Sequence, residues 1–171
     1  SLEEINIPTN VTKLIDTFYK CANLKEITLP ERLIEIGFTT FAECTSLTSI
    51  KIPASVTSIG SQAFSRCTSL KTIFFQSQTP PSGGFSMFPK NTGMKIYVPQ
   101  GYTYDYKSKD SYWKDYEKFL VGFDYQNGIA DVDYNQCADF YSNLYLSYVA
   151  NEHIVRTTSG DYYEYKSNFP I

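Results

Sequence analysis

The segment at residues 47–67 reads LTSIKIPASVTSIGSQAFSRC, and it is a degenerate copy of LKEITLPERLIEIGFTTFAEC at residues 24–44. The first isoleucine of the unit recurs at an almost constant interval, and one more step of the same length lands on Phe119. A fixed period of about 20–30 residues predicts stacked units, each of which buries its apolar face only against its neighbours. The recurring isoleucines are Ile5, Ile27, Ile50, Ile73 and Ile96.

The first part of each unit has the alternation of a β-strand. In the copy at residues 47–67, Ile50 and Ile52 point to one face, whereas Ser49 and Lys51 point to the other. A proline follows and ends the strand, because it has no N–H to donate. The later part of the unit repeats a phenylalanine and a cysteine. The sequence therefore predicts a mostly β (α+β) solenoid of about six 23-residue rungs with a parallel sheet.

The consensus L-x-x-I-x-I-P-x-x-V-x-x-I-G-x-x-A-F-x-x-C resembles the BspA-like leucine-rich repeat of bacterial surface proteins. Residues 47–67 match it at every specified position, and the resemblance extends over residues 2–121. Members of that family are surface or secreted proteins, and some are linked to adhesion to host proteins. The resemblance implies a non-enzymatic binding protein, extracellular or on a bacterial cell surface. Its expected partner is a protein of a host or neighbouring cell, or a glycan.

Composition divides the chain into two parts. Residues 1–122 contain 13 Lys/Arg and 11 Asp/Glu, whereas residues 123–171 contain 2 and 7. Fourteen of the 15 tyrosines lie at Tyr97 or later. We therefore expect a repeat domain at 1–122 and a tyrosine-rich acidic segment at 123–171, whose antiparallel strands cap the repeats. A helix built on Cys137, Phe140, Tyr141, Leu144 and Tyr148 is the competing prediction for that segment.

Two features at the ends of the repeat domain carry their own predictions. Residues 110–117 have a helical apolar spacing, with Asp110 or Ser111 as the N-cap, and predict a short outer helix in which Trp113 packs against the repeats. At the other end, a full repeat unit begins at Ser1, and no polar capping repeat precedes it in the sequence. We therefore expect further rungs upstream in the intact protein.

Bulk properties argue against two partner classes. The net charge of −3 disfavours nucleic acid, whose binding proteins usually carry a basic face. The sequence contains no run of about 18 apolar residues, which is the length that would predict a membrane span.

The sequence contains few groups suited to catalysis or to metal binding. His153 is the only histidine and has no nucleophile motif nearby, and carboxylates such as Glu26 lie at exposed strand positions. The acidic stretch 124–133 does not have the spacing of an EF-hand loop. Cysteines recur in one column and are expected to be small, buried and unpaired, at Cys21, Cys44 and Cys67. We expect no enzyme activity, no metal and no cofactor.

The outward positions of the predicted strands form the candidate binding surface. One outward column grades from small polar to large apolar residues, and its neighbour grades from acidic to basic. Exposed aromatic residues in a row are typical of interaction sites. The alternative is that the 80–90 loop or the C-terminal segment covers them. Two other functions stay open: a carbohydrate-binding module that uses the tyrosine-rich segment, and a structural spacer. The predicted binding residues are Lys51, Phe74, Lys95, Tyr97 and Leu120.

Overall fold

The structure is a computed structural model that describes residues 5–126, 129–130, 154–156 and 162–164. No helix in these ranges is long and apolar enough to cross a membrane. The strands are β1 Lys13–Leu14, β2 Glu35–Ile36, β3 Ser49–Ile52, β4 Ser58–Ile59, β5 Thr72–Phe75, β6 Lys95–Pro99, β7 Leu120–Asp124, β8 Ile129–Ala130, β9 Ile154–Arg156 and β10 Tyr162–Glu164. The helices are α1 Thr103–Ser108 and α2 Ser111–Lys114, followed by a 3₁₀ turn at Glu117–Phe119.

Two sheets with mainly parallel pairing carry the repeats. The larger has the strand order β3-β5-β6-β7-β8, and the smaller has the order β1-β2-β4. In the larger sheet, Ile50 pairs with Ile73 and Ile73 pairs with Ile96, so each isoleucine meets its own copy in the next repeat. The smaller sheet pairs Leu14 with Ile36 in the same way. The predicted period is thus confirmed as a spatial register, and the strands have the arrangement of a leucine-rich repeat fold.

The register of β7 departs from the predicted period by one residue. Ile96 pairs with Leu120 and Tyr97 pairs with Val121, whereas the repeat period had placed Phe119 opposite Ile96. The 3₁₀ turn that precedes β7 ends at Phe119 and takes up one additional residue. Leu120 therefore faces the core together with Ile96, and the prediction that Leu120 lies in the outward column is wrong.

The interior contains a ladder of stacked phenylalanine rings, which we call the phenylalanine ladder. Phe18 and Phe41 stack with ring centroids 5.2 Å apart, Phe41 and Phe64 with centroids 5.0 Å apart, and Phe88 continues the row 5.3 Å from Phe64. All four rings are buried. Because parallel strands lie about 4.8 Å apart, a residue repeated once per unit stacks on its own copy at aromatic contact distance.

The cysteine column lies beside this ladder and is unpaired, as predicted. Cys21, Cys44 and Cys67 are all free, and the last two are buried. Their thiols donate to carbonyls of the preceding repeat, Cys44 Sγ to Phe18 O at 3.2 Å and Cys67 Sγ to Phe41 O at 3.0 Å. Loss of hydration on burial raises the pKa of both thiols to about 12. Burial and the raised pKa give Cys44 and Cys67 the character of structural cysteines.

The repeated glycine of the unit is explained by close contact between successive turns and not by an unusual backbone angle. Neither Gly37 nor Gly60 has a positive φ angle. A Cβ atom built on Gly60 would lie 2.6 Å from the carbonyl carbon of Gly37, and one on Gly84 would lie 2.3 Å from the backbone nitrogen of Ser61. The glycine column therefore allows successive turns to approach through their backbones.

The predicted outer helix is present but shorter than expected. It spans Ser111–Lys114, and Asp110 caps it by accepting hydrogen bonds from two backbone N–H groups, both at 3.0 Å. Trp113 is fully buried and donates to Pro81 O at 2.7 Å, so it packs as predicted. The helix α1, Thr103–Ser108, was not predicted; it buries Tyr106, whose hydroxyl donates to Ser77 O.

Beyond the parallel repeats, the described strands pair in the antiparallel sense. The strand β7 runs without interruption through the predicted boundary between residues 122 and 123. β8 is antiparallel to β7, and β9 and β10 pair antiparallel with each other. The residues of the competing helical prediction, 137–148, lie outside the described residues.

Candidate functional site

Alternation along β5 and β6 places two aromatic rings on the outer face of the larger sheet. Ile73 and Phe75 are buried, whereas Phe74 between them is half-buried. Tyr97 occupies the paired position on β6. The two rings stack with centroids 4.9 Å apart and planes 15° from parallel. The predicted pair of Phe74 and Tyr97 is thus assembled as one continuous surface.

Two residues from the end of β7 extend this pair into a four-ring cluster. Phe123 meets Tyr97 edge-on at 5.3 Å and Phe74 at 5.7 Å. Tyr125 packs edge-on against Phe123 at 4.9 Å. We call Phe74, Tyr97, Phe123 and Tyr125 the aromatic patch. Sequence reasoning missed the last two, although Phe123 and Tyr125 alternate in the segment LVGFDY and could have been found by that signal.

Tyr125 anchors one edge of the patch to the sheet. Its hydroxyl donates to Phe75 O at 2.6 Å, and a weaker contact of 3.4 Å reaches Tyr97 O. Loss of hydration at this hydroxyl raises the pKa of Tyr125 above its ordinary value. The residue still exposes 38% of its surface. Among the described residues, Tyr125 therefore covers part of the predicted row, and Phe74 and Tyr97 are half-buried.

The 80–90 loop does not provide this cover. Its Phe88 is buried against Phe64, Phe75 and Trp113, in the interior. Phe74 makes its ring contacts with Tyr97, Phe123 and Tyr125 instead.

Two lysines border the aromatic patch. Lys51 on β3 is exposed and pairs in register with Phe74. Lys95 on β6 is partly buried and lies two residues from Tyr97 on the same face. The surface thus combines an apolar centre with positive charge at its margin. Leu120, the remaining predicted binding residue, packs against the core and does not join this surface.

A buried hydrogen-bond acceptor, the side-chain amide oxygen of Gln76, lies just beyond β5. Gln76 is two residues after Phe74 and therefore continues the same side of the strand. Within the described residues, Gln76 Oε1 is buried and has no hydrogen-bond donor. Its backbone N–H donates to Ile52 O and holds the chain in the repeat register. An amide oxygen buried without a partner costs free energy, so this position is not optimised for stability.

Several of the residues considered for catalysis or metal binding lie outside the described part of the chain. Among the residues the structure describes, no three His, Cys, Asp or Glu side chains converge to hold a metal ion. His153, Cys137, Glu3 and half of the acidic stretch 124–133 lie outside those residues, as does most of the tyrosine-rich segment considered for carbohydrate binding.

Comparison with protein families gives the repeat its name. A family model described as the BspA type leucine rich repeat region matches six copies over residues 1–104. The chain belongs to the BspA-type leucine-rich repeat family. Repeats of this family are generally non-enzymatic and commonly mediate protein interactions, and BspA-like proteins are typically secreted or on the bacterial surface. The matched range ends within α1, so α2 and β7 lie beyond it. Comparison with curated proteins finds no match.

Proposed function

We propose that this chain is a non-enzymatic adhesion module that binds a protein of a host or neighbouring cell through the outer face of its larger sheet. The observation that carries the proposal is the aromatic patch, a stacked set of partly exposed rings next to Lys51 and Lys95. The proposed location is the outside of a bacterial cell or the extracellular medium.

The geometry of the patch suits a binding surface because its rings are already ordered. Phe74 and Tyr97 stack on each other, and both contact the ring of Phe123. Binding of a partner would therefore cost little side-chain entropy at these two residues. Aromatic anchors with a polar margin are the usual centre of a protein interface. The exposed Lys51 favours a partner with acidic groups around an apolar contact, since charges at a rim mainly raise the association rate.

Two architectural proposals accompany this function. The stacked repeats at 1–122 form a solenoid, which offers an extended face to a large partner. Residues 123–171 form a tyrosine-rich acidic segment whose antiparallel strands cap the last rung. The antiparallel pairing of β8 with β7 supports this cap, because an antiparallel strand ends the parallel series.

The experiment is a binding screen of the chain against immobilised extracellular-matrix proteins by surface plasmon resonance. The test variant is Phe74→Thr/Tyr97→Thr, because Thr28 occupies the same outward column. The loss of two hot-spot side chains should raise the dissociation constant of a captured partner by at least about tenfold. The matched control is Tyr104→Thr/Tyr112→Thr, which removes two exposed tyrosines from the helices. Equal loss in both double variants, or loss in neither, would contradict the proposed site. A chain that captures no protein would favour the spacer function.

A further inference from the structure

A second surface lies on the turns that follow β1, β2 and β4. There the first three repeats line a groove of about 560 Å³. Two aromatic residues stand exposed along it, Tyr19 with 46% and Phe38 with 52% of their surface accessible. Both belong to turns and neither belongs to the aromatic patch. The groove is therefore a separate candidate site.

The repeats that follow carry small side chains at the positions of these two rings. Ala42 and Ser65 are the counterparts of Tyr19 in the next two repeats, and Ser61 is the counterpart of Phe38 in the third. Small side chains thus adjoin each aromatic ring. The ring spacing of 5.0–5.2 Å in the buried ladder gives the distance between successive repeats. That distance is comparable with the length of one pyranose residue, so neighbouring repeats would contact neighbouring sugars.

The polar groups of the groove are mixed in kind and nearly balanced in charge. Thr39 donates its hydroxyl to Asp16 across one repeat. Arg66 Nη1 lies 3.1 Å from Glu43 Oε1. With these two carboxylates and one guanidinium, the lining carries a single net negative charge. Gln62 adds an amide that both donates and accepts.

We propose that this groove binds a neutral oligosaccharide. A sugar presents an apolar C–H face, which packs on an aromatic ring, and a rim of hydroxyls, which pair with carboxylate, amide and guanidinium groups. Because Lys20 Nζ lies 5.0 Å from the Tyr19 ring centroid, the groove and its margin are close to neutral and have no net charge that would attract an acidic glycan or nucleic acid. The groove volume lies within the range of about 300–1,000 Å³ that is typical of small-ligand sites.

The test is isothermal titration calorimetry of the full chain with hexasaccharides of glucose, mannose and N-acetylglucosamine, and with a hexasaccharide of galacturonic acid as the acidic comparator. At least one neutral hexasaccharide should bind, and the acidic one should bind more weakly. Phe38→Ser and Tyr19→Ala introduce residues that the same columns already carry at Ser61 and Ala42. Each should weaken binding by at least about tenfold, which corresponds to about 1.4 kcal/mol.

Phe85→Ser is the matched control, since Phe85 follows Ser61 in the same column, is 63% exposed and lies outside the groove lining. It should leave the dissociation constant unchanged. Phe38→Leu keeps apolar volume without a flat ring and should also weaken binding, which separates stacking from folding. Failure of all neutral hexasaccharides to bind, or binding that survives both groove variants, would overturn the proposal. Sugar binding lost in Phe74→Thr/Tyr97→Thr would place the site on the aromatic patch and overturn it as well.

Discussion

The phenylalanine ladder and the aromatic patch are two stacks of rings produced by one period. Phe41 and Phe64 stack at 5.0 Å inside the molecule, and Phe74 and Tyr97 stack at 4.9 Å on the sheet face. The first pair is fully buried and the second is half-exposed. Periodicity therefore places rings on top of one another on either face. Burial alone decides whether such a stack stabilises the fold or is available to a partner.

The largest expected effect comes from breaking the buried stack. Phe64→Ala should lower the free energy of unfolding by about 3–5 kcal/mol, because it leaves a cavity between Phe41 and Phe88. Urea denaturation followed by circular dichroism measures this. A loss below about 1 kcal/mol would mean that the ladder is not a tightly packed core.

Alkaline pH should weaken the same interior through its thiols. The folded pKa of Cys44 and Cys67 is about 12, against 9.0 for an exposed thiol. Because the folded pKa is raised, the contribution of these thiols to the free energy of unfolding is fully present below pH 9.0. It is lost as the pH rises from 9.0 toward 12, because in that range the thiols ionise in the unfolded chain but stay protonated in the folded one. By about pH 10 the loss should be about 1 kcal/mol for each thiol.

Chemical denaturation between neutral pH and about pH 10 measures that slope. The double variant Cys44→Ala/Cys67→Ala should show a shallower decline. The residual slope should come from the tyrosines, since burial also raises the pKa of Tyr116. A double variant with the wild-type slope would show that the buried thiols do not contribute.

The close approach of successive turns keeps both stacks in register, and Gly60→Ala should disturb it. Its new Cβ would meet backbone atoms of Gly37 and Phe38 at 2.6 Å. We expect a loss of about 1–3 kcal/mol, as for other overpacked sites. The matched control is Gly83→Ala, whose nearest neighbours lie at 3.1–3.3 Å and are mainly the flexible Met87 side chain. Equal melting temperatures for the two variants would argue against the backbone contact.

The exposed stack should tolerate substitution far better than the buried one. Phe74→Thr should cost about 0.5–1.5 kcal/mol, the value of an aromatic pair that is not part of a core. Differential scanning fluorimetry beside Phe64→Ala gives the comparison directly. A cost as large as that of Phe64→Ala would make the patch a structural cluster and would remove the main argument for binding.

The smallest effect is expected at the buried acceptor near the patch. Gln76→Met removes an unpaired amide oxygen and should change the free energy of unfolding by no more than about 1 kcal/mol, in the stabilising direction. A clear destabilisation in thermal unfolding would show that the Gln76 side chain makes a polar contact that the fold depends on.

Much of the fold could be predicted from local pattern. The recurring isoleucines gave the register of β3, β5 and β6, because a residue repeated once per unit must meet its own copy in a parallel sheet. The cap at Asp110 and the burial of Trp113 also followed from nearby residues. These features depend on interactions within one unit or between adjacent identical units.

The candidate site was predicted only in part. Phe74 and Tyr97 were found because their outward positions follow from strand alternation. Leu120 was misplaced because the 3₁₀ turn at Glu117–Phe119 adds a residue where the repeat has decayed, and periodicity no longer applies there. Phe123 and Tyr125 take its place on the outer face.

By itself, the amino-acid sequence determined the repeat family, the inward columns and the unpaired cysteines, since each is a property of the period. Only the tertiary structure decided which rings meet across repeats, how Tyr125 covers part of the patch, and that Tyr19 and Phe38 share one groove. It also gave the reason for Gly60, which is a backbone contact between turns. These outcomes depend on distances between residues of different units, and a one-residue change in a turn is enough to alter them.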